Sequence, residues 1–250
     1  MTGRSERVPN SLSARMKSKM NNMGRPAERA FTLIELLAVI SIMAILAGLL
    51  VGLAPQASAR IRESRTRTEL AKLVVMIDAY RVKYGVYPPD NVVGTGSDGL
   101  PSVNAAINPL FYELTGVMVV RQGKGGYFVP LADTDRPTNR LDPDTHVRAF
   151  FNRDGFVNAA TSNQVRRLFR ADFKESQHAE LSSNPDIEVL VAPVPWPAND
   201  PNNPPPIPAQ PRLNPWRYNS SHPIHNPGGY DLWAEIVVRG KKQVIGNWKN

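Results

Sequence analysis

From Phe31 to Leu53 the chain is apolar on every side, 23 residues in which Glu35 is the only charged group. At about 1.5 Å per residue such a run makes a helix of roughly 35 Å, enough to cross a hydrocarbon layer of about 30 Å. A secretory h-region is shorter, about 7 to 15 residues, so the run predicts a membrane-spanning helix. Pro55 follows, where the ring removes a donor and crowds the preceding turn. Beyond it the pattern becomes one-sided. Residues 57–84 contain neither glycine nor proline, and Leu70, Leu73, Val74, Ile77, Tyr80, Val82 and Tyr84 include an i, i+3, i+4, i+7 series. Arg65 and Glu69 stand one turn apart on this stretch. One long helix is therefore predicted over residues 31–84, with a lipid-facing half (31–53) and an amphipathic half that packs on a head. Gly85 and the two prolines of GVYPPD (residues 85–90) stop it.

The remainder, residues 85–250, is patterned in short pieces. NAAINPLFYELTG (104–116) predicts a short helix broken near Pro109, and VMVV (117–120) and YFVPL (127–131) predict strands. TSNQVRRLFRADF (161–173) predicts another helix, capped by Thr161 or Ser162. Residues 185–227 hold thirteen of the 23 prolines and predict a long surface loop with polyproline II character. LWAEIVV (232–238), a turn at Arg239-Gly-Lys-Lys242 and QVIG (243–246) predict a terminal hairpin. The fold class is α+β: a long N-terminal helix packed on a small antiparallel-sheet head.

The net charge of +8 suggests nucleic acid until it is located. Arg4, Arg7, Arg15, Lys17, Lys19, Arg25 and Arg29 stand against Glu6 and Glu28, so residues 1–30 carry five of the eight net charges. A basic segment just before an apolar span is a topology signal, since positive flanks remain cytoplasmic; no nucleic-acid partner is predicted. The absence of cysteine excludes disulfides, thiolate catalysis and cysteine-ligated metals.

Glu35 then asks for an explanation. Insertion scales put a central carboxylate at about 2.5 to 3.5 kcal/mol, and ionisable groups within a membrane generally face a partner. No lysine or arginine lies between Phe31 and Leu53, so a cation must come from the flanks or another molecule. A cut before Phe31 would create one, because the new α-amine is positive and could pair with Glu35 of a neighbouring subunit, fixing the axial register of two helices.

The segment RA-FTLIELLAVISIMAIL (29–46) resembles the prepilin-type signal of type IV pilins and type II secretion pseudopilins. That resemblance implies cleavage of the Ala30–Phe31 bond by a prepilin peptidase, methylation of Phe31, and Glu35 as the assembly glutamate. Thr32, Leu33 and Ile34 match the usual interior of the signal, whereas Ala30 stands where the family normally has glycine. KYGVYPPD (83–90), YDLW (230–233) and IGNW (245–248) are similar to the helix exit and the chain end of the major pseudopilin. The resemblance covers roughly residues 24–90 and 229–248 and leaves the middle unmatched. It implies a structural subunit of a secretion pseudopilus, working with the peptidase and an inner-membrane assembly machinery, its leader (1–30) cytoplasmic and its head periplasmic. A type IV pilin or minor pilin in adhesion, motility or DNA uptake is the alternative within the class; a signal-anchored enzyme or binding domain is the alternative outside it.

In that family calcium often stabilises a loop near the C-terminus. Here Arg239, Lys241 and Lys242 put positive charge at the corresponding turn, so calcium is not carried over and no cofactor is predicted. Other motifs carry little. GTGSDG (94–99) fits G-x-G-x-x-G but lacks a preceding strand pattern. Asp133, Asp135, Asp142 and Asp144 serve as turn formers or, less readily, cation ligands. His222 and His225 have metal spacing without a third ligand. With no G-x-S-x-G or phosphate-binding loop, no enzyme is predicted.

Overall fold

The computed structural model describes residues 31–123, 125–132, 139–183, 186–197, 200–238 and 240–249, without the side chains of residues 49–57 and 183. The leader with Ala30, and the turn residue Arg239, lie outside it. The chain divides into two compact units, Met1–Val51 and Gly52–Asn250, whose boundary falls within the long helix α1, Leu33–Tyr84.

In the first unit the helix presents apolar side chains on all faces. Leu33, Ile34, Leu36, Leu37, Ile40, Met43 and Leu46 are all exposed, as is Phe31 just before it. Among the described residues no helix is long and apolar enough to cross a membrane. The side chains described there stop at Gly48, while the apolar sequence continues to Leu53.

In the second unit α1 has one buried stripe, Thr66, Leu70, Leu73, Ile77 and Tyr80, at alternating spacings of four and three. Thr66 is accommodated because its hydroxyl donates to the Arg62 carbonyl at 2.9 Å. Val82, expected with the stripe, is 88 % exposed, since it falls on the opposite face from Tyr80. The expected Arg65–Glu69 pair is also replaced: Arg67 pairs with Glu63 at 2.9 Å, and Glu69 accepts from Gln177 at 2.7 Å. Gly85 ends the helix with φ +75°, its N–H donating to the Arg81 carbonyl at 2.7 Å, a left-handed cap that glycine adopts without a Cβ penalty. The exit is then pinned by Tyr218, whose hydroxyl donates to the Pro88 carbonyl at 2.8 Å.

The head contains several small sheets, not one. Strands β1 (Val92–Thr95) and β2 (Pro101–Val103) form a hairpin. The helix α2, Leu110–Thr115, begins directly after Pro109, so the expected helix before that proline is absent. β3 (Val117–Gln122) pairs antiparallel with β4 (Gly125–Pro130) and parallel with β5 (Ala159–Ala160). β6 (His178–Ser183) pairs with β7 (Asp186–Leu190). The last sheet has the order β10-β9-β8, with β8 at Arg217–Asn219, β9 at Asp231–Val238 and β10 at Lys241–Gly246. β9 and β10 are the predicted terminal hairpin, with Leu232, Ala234 and Ile236 alternating inward.

Two middle segments depart from expectation. Residues 161–173 form only a 3-10 turn at Val165–Arg167, because backbone groups needed for a helix are used elsewhere. The Phe169 N–H donates to Tyr84 Oη and Asn158 Oδ1, and the Ala171 N–H to the Leu114 carbonyl at 2.8 Å. The proline-rich segment 185–227 is not one extended loop: it contains β7 and β8, and buries Trp196, Ile207, Trp216 and Tyr218. These apolar anchors repeatedly return it to the core.

Glu113 organises the interior beneath α1. Fully buried on α2, it accepts from Tyr80 Oη at 2.8 Å and from the Val157 and Asn158 N–H groups at 2.9 Å each. It thus ties the long helix to the chain leading into β5.

Candidate functional site

The structure brings Glu35 together with Thr32. Thr32 precedes the first turn of α1, and its N–H and hydroxyl both donate to Glu35 Oε2, at 3.0 and 2.8 Å. In return the Glu35 N–H donates to Thr32 Oγ1 at 3.3 Å, and the Leu36 N–H to the Thr32 carbonyl at 3.2 Å. This is a capping box, in which Ser or Thr and a glutamate three residues on satisfy donors left free at a helix start. The carboxylate also faces the positive end of the helix dipole. The pattern is written in the sequence as Thr32-Leu-Ile-Glu35, and it is a signal the expectation for Glu35 leaves unused. The lone carboxylate therefore has an internal partner, but not a cation: among the described residues none pairs with it. Oε1 carries no hydrogen bond within the described residues and remains open to a donor from outside. Phe31 stands beside this box, outside the helix and 81 % exposed.

A second constellation joins the exit of α1 to the loop before β9 and is invisible in the sequence. Asp90 and Asp231 are buried, and each carboxylate gathers donors from the loop before β9. Asp90 Oδ2 accepts from the Ser220 and Ser221 N–H groups at 2.8 Å each, and Oδ1 from the Ser221 hydroxyl at 2.6 Å. Asp231 Oδ2 accepts from the Ile224 and His225 N–H groups at 2.7 and 2.9 Å, and Oδ1 from the Asn226 N–H at 2.9 Å. A hard cation needs a shell of oxygen ligands, whereas these carboxylates are surrounded by N–H and O–H donors. The Asp90 and Asp231 carboxylates are thus engaged by the loop itself. Asp231→Ala is expected to leave three backbone N–H groups without their acceptor, at about 1 to 3 kcal/mol for each that stays dry. Thermal unfolding of the full chain in detergent should show a fall of several degrees, while chelator or added calcium leaves the wild-type midpoint unchanged.

The remaining candidates resolve into structural roles. The Gly94–Gly99 segment closes the β1–β2 hairpin and is followed by a strand instead of a phosphate-binding helix. Asp142 caps the one-turn π-helix Pro143–Arg148, accepting from the Asp144 and Thr145 N–H groups at 2.9 Å each. These bonds hold its carboxyl below its usual range, the Thr145 N–H contributing most. Asp144 pairs with Arg148 at 2.8 Å. Asp133 and Asp135 lie outside the described residues. The His225 ring stacks on Trp248 with centroids 3.9 Å apart, and the His222 N–H donates to Asn219 at 2.9 Å. Among the described residues no group of three metal-ligating side chains converges.

Residues 25–51 match the family model of the prokaryotic N-terminal methylation motif. The chain carries the prepilin-type cleavage and methylation signal of pilin-like proteins, and the match spans Phe31, Thr32 and Glu35. The match covers this N-terminal segment alone, and the motif is the one that pilin-like and pseudopilin subunits carry. No curated protein and no solved structure matches the chain.

Proposed function

We propose that the chain is an inner-membrane precursor cut between Ala30 and Phe31 by a prepilin peptidase, methylated at Phe31, and assembled through its N-terminal helices into a type II secretion pseudopilus. The observation that carries this reading is the apolar shell of the first unit, exposed on every face, inside a segment that matches the methylation motif. Such a surface is stable in lipid or against copies of itself, and not in water.

In this mechanism the leader's positive charge holds residues 1–30 in the cytoplasm, and residues 31–53 span the membrane with the head beyond it. Cleavage exposes the Phe31 amine. The open Oε1 of Glu35 receives the amine of an adjacent subunit, while Oε2 stays on Thr32 and keeps the helix start fixed. Charge pairing sets the register, and the apolar side chains from Leu33 onward supply the packing area.

The similarity of the exit at residues 83–90 and of the YDLW and IGNW ends to the major pseudopilin favours secretion over surface pili. Deleting the chain in its host is expected to trap an exported protein in the periplasm. Normal export with loss of motility, adhesion or DNA uptake would instead assign the filament to a type IV pilus.

A further inference from the structure

Within the second unit an open groove runs along α1. It consists of two adjoining depressions that share Arg65 and Pro193: one is lined by Arg65, Lys72 and Lys174, the other by Arg62, Arg65 and Arg212. Among the described residues Glu69 is the sole carboxylate in the lining, and its Oε1 is occupied by Gln177. None of the five cations forms an ion pair among the described residues, unlike Arg67, Arg148 and Arg217, which all do.

The walls are fixed. Opposite the helix the Trp196 N–H donates to the Arg212 carbonyl at 3.0 Å, and the Ala192 N–H to the Asn214 carbonyl at 2.8 Å. Asn214 Nδ2 adds a bond to the Val194 carbonyl at 2.8 Å. The proline-rich segment is thus a rigid rim, and the Val191 N–H to Gln177 carbonyl bond at 2.9 Å joins it to the other wall. Arg62, Arg65 and Arg212 line one depression with no carboxylate among its described lining residues, and Lys72 and Lys174 stand in the adjoining one, so the pair favours an anion.

Several of the chain's own carboxylates are already engaged. Glu63, Asp144, Asp154 and Glu235 are paired with cations, and Asp90, Asp142 and Asp231 are taken up by N–H donors. The position of the groove selects the source. Arg62 comes nine residues after Leu53, about 13 Å along a helix, which places its long side chain within reach of the headgroup layer. Cationic flanks are ordinarily kept on the cytoplasmic side of a span, yet Arg60, Arg62, Arg65 and Arg67 follow it on the far side.

We propose that this groove binds the phosphate of an anionic membrane phospholipid, using the guanidinium groups of Arg62, Arg65 and Arg212. Guanidinium matches phosphate oxygens in paired geometry. The inference rests on the membrane-spanning reading above. Bound lipid would seat the head at the bilayer until the subunit is drawn into the filament.

The full chain is reconstituted in vesicles of equal phosphatidylglycerol and phosphatidylcholine, extracted in mild detergent, and weighed intact by native mass spectrometry. Wild type is expected to retain phosphatidylglycerol in clear excess. The variant carrying Arg62→Gln, Arg65→Gln and Arg212→Gln should retain at least fivefold less, with unchanged resistance to carbonate extraction and an unchanged melting midpoint. The leader's basic residues are common to both proteins, so the difference reports the groove. Equal retention of the two lipids, or equal retention by the variant, overturns the proposal. So does displacement of the lipid by millimolar glycerol phosphate, which assigns the groove to a soluble anion, or by polyglutamate, which assigns it to an acidic protein. A wild-type chain removed from vesicles by carbonate would contradict the membrane reading itself, an outcome distinct from insertion without lipid preference.

Discussion

Glu35→Ala is expected to insert in the membrane and lose its leader at close to the wild-type level, yet to enter filaments at no more than about a tenth of it. Removing one partner of a buried ion pair costs about 3 to 5 kcal/mol, and 1.4 kcal/mol is already tenfold. The capping box complicates a simple reading of that variant. Alanine also deprives the Thr32 N–H and hydroxyl of their acceptor, a local loss of about 1 kcal/mol. Glu35→Gln separates the two roles, because a glutamine oxygen can still accept from Thr32 while the charge is gone. Counting subunits in sheared filaments, with the membrane pool as reference, should place Gln near Ala. Wild-type incorporation of Glu35→Gln would reduce Glu35 to a cap and remove it from intersubunit pairing.

The largest effect on the head is expected at Glu113. Glu113→Ala strands three donors, the Tyr80 hydroxyl and the Val157 and Asn158 N–H groups, in a fully buried site. At about 1 to 3 kcal/mol for each unmet group, a total loss of about 3 to 5 kcal/mol is expected once water partly refills the space. That is a large share of the 5 to 15 kcal/mol typical of a domain. Urea unfolding followed by tryptophan fluorescence would measure it. Burial is also the main influence on the carboxyl, raising its pKa above the ordinary 4.5 against the opposing hydrogen bonds from Asn158, Val157 and Tyr80. A folded state that holds its proton more tightly than the unfolded chain gains most below that ordinary value, and loses the gain as pH rises through the folded pKa. Glu113→Gln should therefore flatten the fall in stability that wild type shows as pH rises from about 4.5.

How much of this was legible depended on the range of the interactions. The stripe Leu70, Leu73, Ile77, Tyr80 is local periodicity, Gly85 is a local conformational need, and the β9–β10 hairpin is local alternation around a turn; all three were readable. The segment 161–173 has helix-forming composition, but Phe169 and Ala171 spend their N–H groups on Tyr84, Asn158 and Leu114, partners distant in sequence. Proline content read residues 185–227 as one surface loop, whereas the segment contains β7 and β8 and buries Trp196 and Trp216. Glu113, Asp90 and Asp231 resemble ordinary surface acids in the sequence, and only the fold delivers their donors. Thr32 is the reverse case. Its role as a cap is written in four consecutive residues, and the search for a cation to neutralise Glu35 passes over the neutral partner three positions away.

The chain is expected to be processed between Ala30 and Phe31 on the way to a filament. Expressing the full chain with and without its host's prepilin peptidase, and measuring the intact mass and the N-terminal peptide mass in the membrane fraction, tests it most directly. A peptide beginning at N-methylated Phe31, present only with the peptidase, is the predicted result. A chain that keeps its leader under both conditions would contradict the account, leaving residues 31–53 as a plain anchor and Glu35 as a helix cap alone.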